Sequence, residues 1–118
     1  MKRVTDFPRV YLWRAVADMR KQDLGLTVMV QEQMNLDPFE KALFVFINRR
    51  RDLLKIVYWD DSGFAMWVKR LDQQQFAWPR KLPEEVIMIS ATQMEWLLSG
   101  YNVWEMKGHK PLQFSSVS

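Results

Sequence analysis

The sequence predicts an α+β fold: a small antiparallel β-meander sheet with two packed helices. Three observations carry this. Between Leu43 and Pro79, three apolar runs of strand length are separated by turn-forming residues. Two other stretches, after Asp18 and after Ser90, repeat apolar residues at helical spacing. The chain has 118 residues, 48% hydrophobic and 26% charged, which is enough for one core and too little for two. The expectation is a single domain over 1–118, with four to six strands and both helices on one side of the sheet.

In chain order, Val10 to Trp13 is a short strand between Arg9 and Arg14. Asp18 reads as a helix N-cap, and the helix runs to about Met34, with Leu24 and Val28 on one stripe and Leu26 and Val30 beside it. Gly25 inside that pattern costs about 1 kcal/mol relative to Ala. It marks either a close helix–sheet approach or a helix that starts nearer Asp23. Asp37-Pro38-Phe39 is a turn into Leu43–Ile47, an apolar run without alternation that belongs in the middle of the sheet with both faces covered.

Asn48-Arg49-Arg50-Arg51-Asp52 is too charged to bury and forms a turn. Leu53–Trp59 and Phe64–Lys69 then make a hairpin around Asp60-Asp61-Ser62-Gly63. Read as a three-residue loop with a glycine bulge, it sets Trp59 opposite Ala65, Val57 opposite Trp67 and Lys55 opposite Lys69. Leu54, Ile56, Tyr58, Met66 and Val68 fall on a core face, and Lys55, Val57, Trp59, Trp67 and Lys69 on the other. Leu71 to Phe76 is a turn and short edge strand ending at Pro79, and Glu85–Ile89 a last strand. Ser90-Ala91-Thr92-Gln93 is a capping box, the helix behind it turns Ala91, Met94, Leu97 and Leu98 to the core, and Gly100 stops it. From about 105 to 118 the tail is expected to be loose.

Charge is not evenly spread. Residues 41–81 hold nine Lys/Arg against four Asp, whereas the first forty residues balance at six and six. A net charge of +3 is a mild pointer to polyanions, and its concentration in the meander is a stronger one. The Arg49-Arg50-Arg51 turn suits sequence-independent phosphate contacts, or is a solvated turn with Asp52 as its counter-charge. Lys55, Lys69 and Arg70 extend the basic surface, and Arg20 and Lys21 are secondary candidates. Trp59 and Trp67 are stacking platforms if displayed, and core residues if a helix covers them.

Other chemistries find less support. Cysteine is absent, which removes disulfides and thiolate nucleophiles and suits a reducing cytoplasm. No apolar run approaches a membrane span, and the charged N-terminus lacks a signal core. The only histidine, His109, sits in a Lys-Gly-His-Lys-Pro tail, a solvated position more than a catalytic one. The four scattered glycines form no phosphate loop, and no cofactor is implied. Asp52, Asp60 and Asp72 are the one set that a metal-dependent nuclease could use. The expectation is a non-enzymatic protein.

Together the blocks Asp18-Met19-Arg20-Lys21, Gly25-Leu26, Asp37-Pro38-Phe39, Leu43-Phe44-Val45-Phe46, Asn48-Arg49-Arg50-Arg51-Asp52, Lys55-Ile56, Tyr58-Trp59-Asp60, Gly63-Phe64, Lys69-Arg70-Leu71 and Phe76-x-Trp78-Pro79 cover residues 18–79 in order. In this the chain resembles the accessory protein of IS-sixty-six-type bacterial insertion sequences, the second open reading frame product often labelled TnpB. Gln22 and Lys41 depart from the glycines common at those places. The resemblance implies a protein encoded beside a separate transposase and needed for efficient transposition. It implies no known catalytic activity. The combined expectation is an accessory that binds DNA, the transposase or both through the basic meander. The alternatives are a pure protein-interaction module docked on the transposase, and the metal-dependent nuclease. The sequence fixes no oligomeric state.

Overall fold

The uninterrupted apolar run becomes the central strand. In the computed structural model, which describes residues 3–105, Ala42–Ile47 (β2) is buried along its whole length. On one side it pairs antiparallel with Leu53–Trp59 (β3), which pairs antiparallel with Phe64–Arg70 (β4) at the edge. This is the expected meander. On its other side β2 pairs parallel with Arg9–Val16 (β1), and β1 pairs antiparallel with Val86–Ile89 (β5). The order is β4-β3-β2-β1-β5. The α+β class holds, with one parallel pair in the sheet.

That parallel pair explains where the helices sit. Parallel neighbours need a crossover connection, and Asp23–Glu32 (α1) supplies it. α1 packs Leu26, Met29 and Val30 with Trp13, Phe44, Phe46 and Val57 on one face. Ala91–Leu98 (α2) packs Met94 and Leu97 with Val10, Leu12, Val45, Ile56 and Ile87 on the other. The helices therefore cover opposite faces, not one side. Phe76 and Trp78 lie in the α2 layer, so the segment after β4 completes that layer as irregular chain rather than as an edge strand.

Both helix starts follow local bonding. Asp18 organises a turn of its own: its carboxylate accepts from the Arg20 backbone N–H at 2.9 Å, and the Lys21 N–H donates to its carbonyl at 3.1 Å. α1 begins only at Asp23. Its packed stripe is Leu26, Met29 and Val30, while Leu24 and Val28 face solvent. Gly25 stands in the first turn, where a Cβ would come within 3.3 Å of the Lys21 side chain, so the close approach is to that stem and not to the sheet. α2 carries the full capping box: the Gln93 N–H donates to Ser90 Oγ at 3.0 Å and the Ser90 N–H to Gln93 Oε1 at 2.9 Å. Gly100 ends it at φ +91°. The tail that the sequence leads one to expect loose, His109 included, lies outside the described residues from 106 onward.

The β3–β4 register differs from the sequence expectation by one residue. Trp59 faces Phe64, Ile56 faces Trp67, Lys55 faces Val68, Leu54 faces Lys69 and Leu53 faces Arg70. The hairpin uses all four of Asp60 to Gly63, and Asp61 rather than Gly63 takes the left-handed conformation, at φ +59°. A shift of one residue turns every side chain of β4 to the opposite face. Trp67 and Lys69 therefore leave the face of Lys55, Val57 and Trp59, and Arg70 joins it.

Candidate functional site

The turn between β2 and β3 is shaped by Asn48. Its Oδ1 accepts from the N–H groups of Asp52 and Leu53, both at 3.0 Å, and its Nδ2 donates to Asp52 Oδ1 at 2.7 Å. The Arg51 N–H donates to the Asn48 carbonyl at 3.1 Å, and Arg51 is left-handed at φ +61°. Beyond β4 the chain returns to staple the same turn: Leu71, Phe76 and Gln75 donate to the carbonyls of Asp52, Arg51 and Arg50 at 2.8, 2.7 and 2.7 Å. Backbone and amide groups hold the turn. The guanidinium groups do not.

Arg49 and Arg50 line a groove of about 850 Å³ with Arg20 and Arg70. These four arginines come from three separate stretches of chain. Arg20 arrives on the turn before α1, and Arg70 arrives because of the β3–β4 register. Two carboxylates lie close by. Asp18 is bound by Arg20, Nη2 to Oδ2 at 2.9 Å and Nε to Oδ1 at 3.0 Å, and these bonds hold its carboxyl down at about 2. Asp52 stands 4.0 Å from Arg70, and its pKa is lowered first by the Asn48 amide, then by the charges of Arg50 and Arg70. Arg70 and Arg20 remain 63% and 91% exposed. Exposed guanidinium forks of this kind match phosphate oxygens in pairs.

Lys55 is placed otherwise than expected. It is buried, 7% exposed, and its Nζ donates to the carbonyls of Met19 at 2.7 Å and Lys21 at 3.0 Å. It fixes the turn that presents Arg20 and is not open to a phosphate. Lys21 is exposed, with its stem against the first turn of α1. Lys69 is exposed on the α2 side of the sheet, away from the four arginines. The structure thus brings together Arg20, Arg49, Arg50 and Arg70, and leaves Lys21, Lys55 and Lys69 outside the groove.

The two tryptophans part company. Trp67 packs against Phe7 and Tyr58, centroids 6.3 and 4.9 Å away, as a half-buried member of the α2-side core. Trp59 sits at the far end of β3 in a trio with Phe39 and Phe64, at 4.9 and 5.0 Å. Phe39 is 56% exposed. The acidic residues separate as well. Asp52 precedes β3 and Asp60 follows it, and seven extended residues span about 20 Å, so the two cannot hold one ion. Among the described residues no group of three His, Cys, Asp or Glu is placed to bind a metal.

Arg51 turns away from its two neighbours. It lines a second groove, of about 480 Å³, on the other side of the turn, with Arg80, Lys81 and Trp104. Sequence reasoning missed this trio. Arg80 and Lys81 contribute to the basic excess, but nothing in a pair after Pro79 tells where it folds. No helix among the described residues is long and apolar enough to cross a membrane.

The family model described as IS66 Orf2 like protein matches residues 8–108. Two proteins of Sinorhizobium fredii (strain NBRC 101917 / NGR234) are similar to the chain. "Uncharacterized protein y4hO" is 39% identical over 92 residues, covering 78% of this chain and 79% of its own. "Uncharacterized protein y4jC" is 28% identical over 105 residues, covering 89% and 88%. No solved structure matches. The family match spans nearly all the described residues, both layers and the arginine groove included, and the chain belongs to the IS66 Orf2-like family, with the accessory role in transposition that this family carries.

Proposed function

We propose that the chain acts in transposition by gripping duplex DNA through its backbone phosphates at the arginine groove. One observation carries this: Arg20, Arg49, Arg50 and Arg70 converge on one groove from three stretches of chain. Among the described residues Asp18 is the one carboxylate in the lining, already engaged with Arg20, and Asp52 stands 4.0 Å from Arg70. Contacts of this class position a protein on DNA without reading sequence. The role is one of binding rather than catalysis, and its place is the cytoplasm, beside the DNA and the transposase.

The test is a salt titration of binding to the element's terminal duplex and to a scrambled duplex. Four phosphate contacts give a log–log slope of roughly 3 to 4, and the Arg49→Ser/Arg50→Ser variant should lower it by about 2 on both duplexes. Unchanged affinity and slope in that variant would remove the groove from DNA binding.

Docking on the transposase is favoured by a different observation, the exposed Phe39 over Trp59 and Phe64. Aromatic anchors of this kind dominate protein interfaces. The trio is at the opposite end of β3 from the arginines, so the two contacts are compatible. A transposase complex that survives nuclease treatment, and is lost in Phe39→Ser, supports it; a complex that nuclease dissolves counts against it.

A further inference from the structure

The second groove is a site of a different kind from the first. It lies across the arginine turn, on the α2 side, and its charge comes from Arg51, Arg80 and Lys81. Among the described residues none of the three makes an ion pair. Glu105 is the one carboxylate in the lining among the described residues. Among the described residues the arginine groove, by contrast, is lined by no aromatic residue.

Its walls are fixed by hydrogen bonds to backbone carbonyls. Gln75 and Phe76 tie one wall to the turn through the carbonyls of Arg50 and Arg51, each at 2.7 Å. Trp78 Nε1 donates to the Arg14 carbonyl at 2.7 Å, and Trp104 Nε1 to the Ala77 carbonyl at 2.5 Å. With its N–H engaged, the half-buried Trp104 lines the groove. Asn102 adds an amide beside it. A volume of about 480 Å³ leaves room for one nucleotide.

We infer that this groove binds single-stranded nucleic acid, taking one unstacked base against Trp104 with the flanking phosphates at Arg51, Arg80 and Lys81. A basic channel with an aromatic platform is the chemistry that holds single strands without regard to sequence. The site goes beyond the duplex-binding role and does not depend on it. Because one turn separates the two grooves, a protein using both straddles a junction between duplex and opened strand.

The experiment measures binding of the full chain to a labelled thymidine oligomer of about ten nucleotides, and separately to a duplex, at low salt. Arg80→Ser/Lys81→Ser should weaken the single strand by about tenfold or more and the duplex by less than about twofold. Trp104→Leu should weaken the single strand to a similar degree. Arg49→Ser/Arg50→Ser should show the reverse preference. The surface double variant, checked by its thermal melt, keeps the test open if Trp104→Leu misfolds. Single-strand binding that is absent in the wild type, or unmoved in Arg80→Ser/Lys81→Ser, overturns the inference. So does an equal loss on both ligands in both double variants, which would mean one undivided basic surface. Loss of duplex binding alone in Arg49→Ser/Arg50→Ser, with the single strand still held, supports two separate grooves.

Discussion

Lys55→Met is the most informative single change. The substitution keeps the length and apolar stem of the side chain and deletes the ammonium. Lys55 is 7% exposed, and its two bonds, at 2.7 and 3.0 Å, end on the Met19 and Lys21 carbonyls. Hydrogen bonds to a charged donor contribute about 1.5 to 3 kcal/mol each, and an abandoned buried carbonyl costs about 1 to 3 kcal/mol. Two effects reduce the sum. Removing a buried charge recovers desolvation free energy, and the turn at residues 18–21 is near enough to the surface for its carbonyls to reach water. The expected net loss is about 2 kcal/mol, read as a lower urea midpoint with an unchanged slope.

The same variant should speed amide exchange in residues 19–23 and weaken duplex binding, because Arg20 loses its support. A double-mutant cycle separates this from direct contact. If Lys55 acts through Arg20, then Lys55→Met in an Arg20→Ser background should weaken DNA binding little further. Additive losses would mean that Lys55 touches the ligand itself. Wild-type stability and unaltered exchange in Lys55→Met would refute the structural role.

Two further outcomes follow from single geometries. Gly100→Ala places a Cβ at φ +91° and 3.3 Å from Gln74 Oε1, and should cost about 1 to 2 kcal/mol, a drop of roughly 4 to 8 °C in melting temperature; an unchanged melt would deny the left-handed stop. Tyr11 donates to Glu40 Oε2 at 2.9 Å, and burial first, then that carboxylate, push its hydroxyl from 10.0 to about 12. A folded value above the unfolded one means that the contribution to stability is complete below pH 10 and lost as pH rises from 10 through about 12. Tyr11→Phe should flatten the fall of stability in that window, and an identical fall in both proteins would contradict the assignment.

What the sequence makes legible is local. The unalternating Leu43–Ile47 run has to be covered on both faces, and β2 is. Ser90 and Gln93 meet in the reciprocal bonds their spacing announces, and Gly100 turns left-handed where the helix must stop. The β3–β4 register is not legible. Gly63 is the obvious left-handed residue in Asp60-Asp61-Ser62-Gly63, yet Asp61 takes that conformation and the loop gains a residue. β4 gives no correcting signal, because as a half-exposed edge strand it has Met66 and Val68 on one face and Ala65 and Trp67 on the other, and either face passes for a core face. Lys55 is unreadable for another reason: its partners are backbone carbonyls 36 and 34 residues away, and a carbonyl has no sequence signature. The opposite placement of the helices depends on β1 running parallel to β2, a tertiary fact that no local pattern contains.

The register also bears on why the arginines should be read as a binding device. Four guanidinium groups on one groove repel one another, and such self-repulsion weakens the compact state. If they were needed to hold the turn, that cost would be structural. Yet Asn48, Leu71, Gln75 and Phe76 satisfy the turn's backbone without them. Arg49 and Arg50 make no ion pair among the described residues, and Arg70 reaches Asp52 only at 4.0 Å. The single close pair, Arg20 with Asp18, is highly exposed and adds little to stability. The fold therefore carries a concentration of charge that its own contacts do not use. A polyanion laid in the groove would remove the repulsion and release its own counterions in the same step, so the feature that weakens the free protein is what favours the bound one.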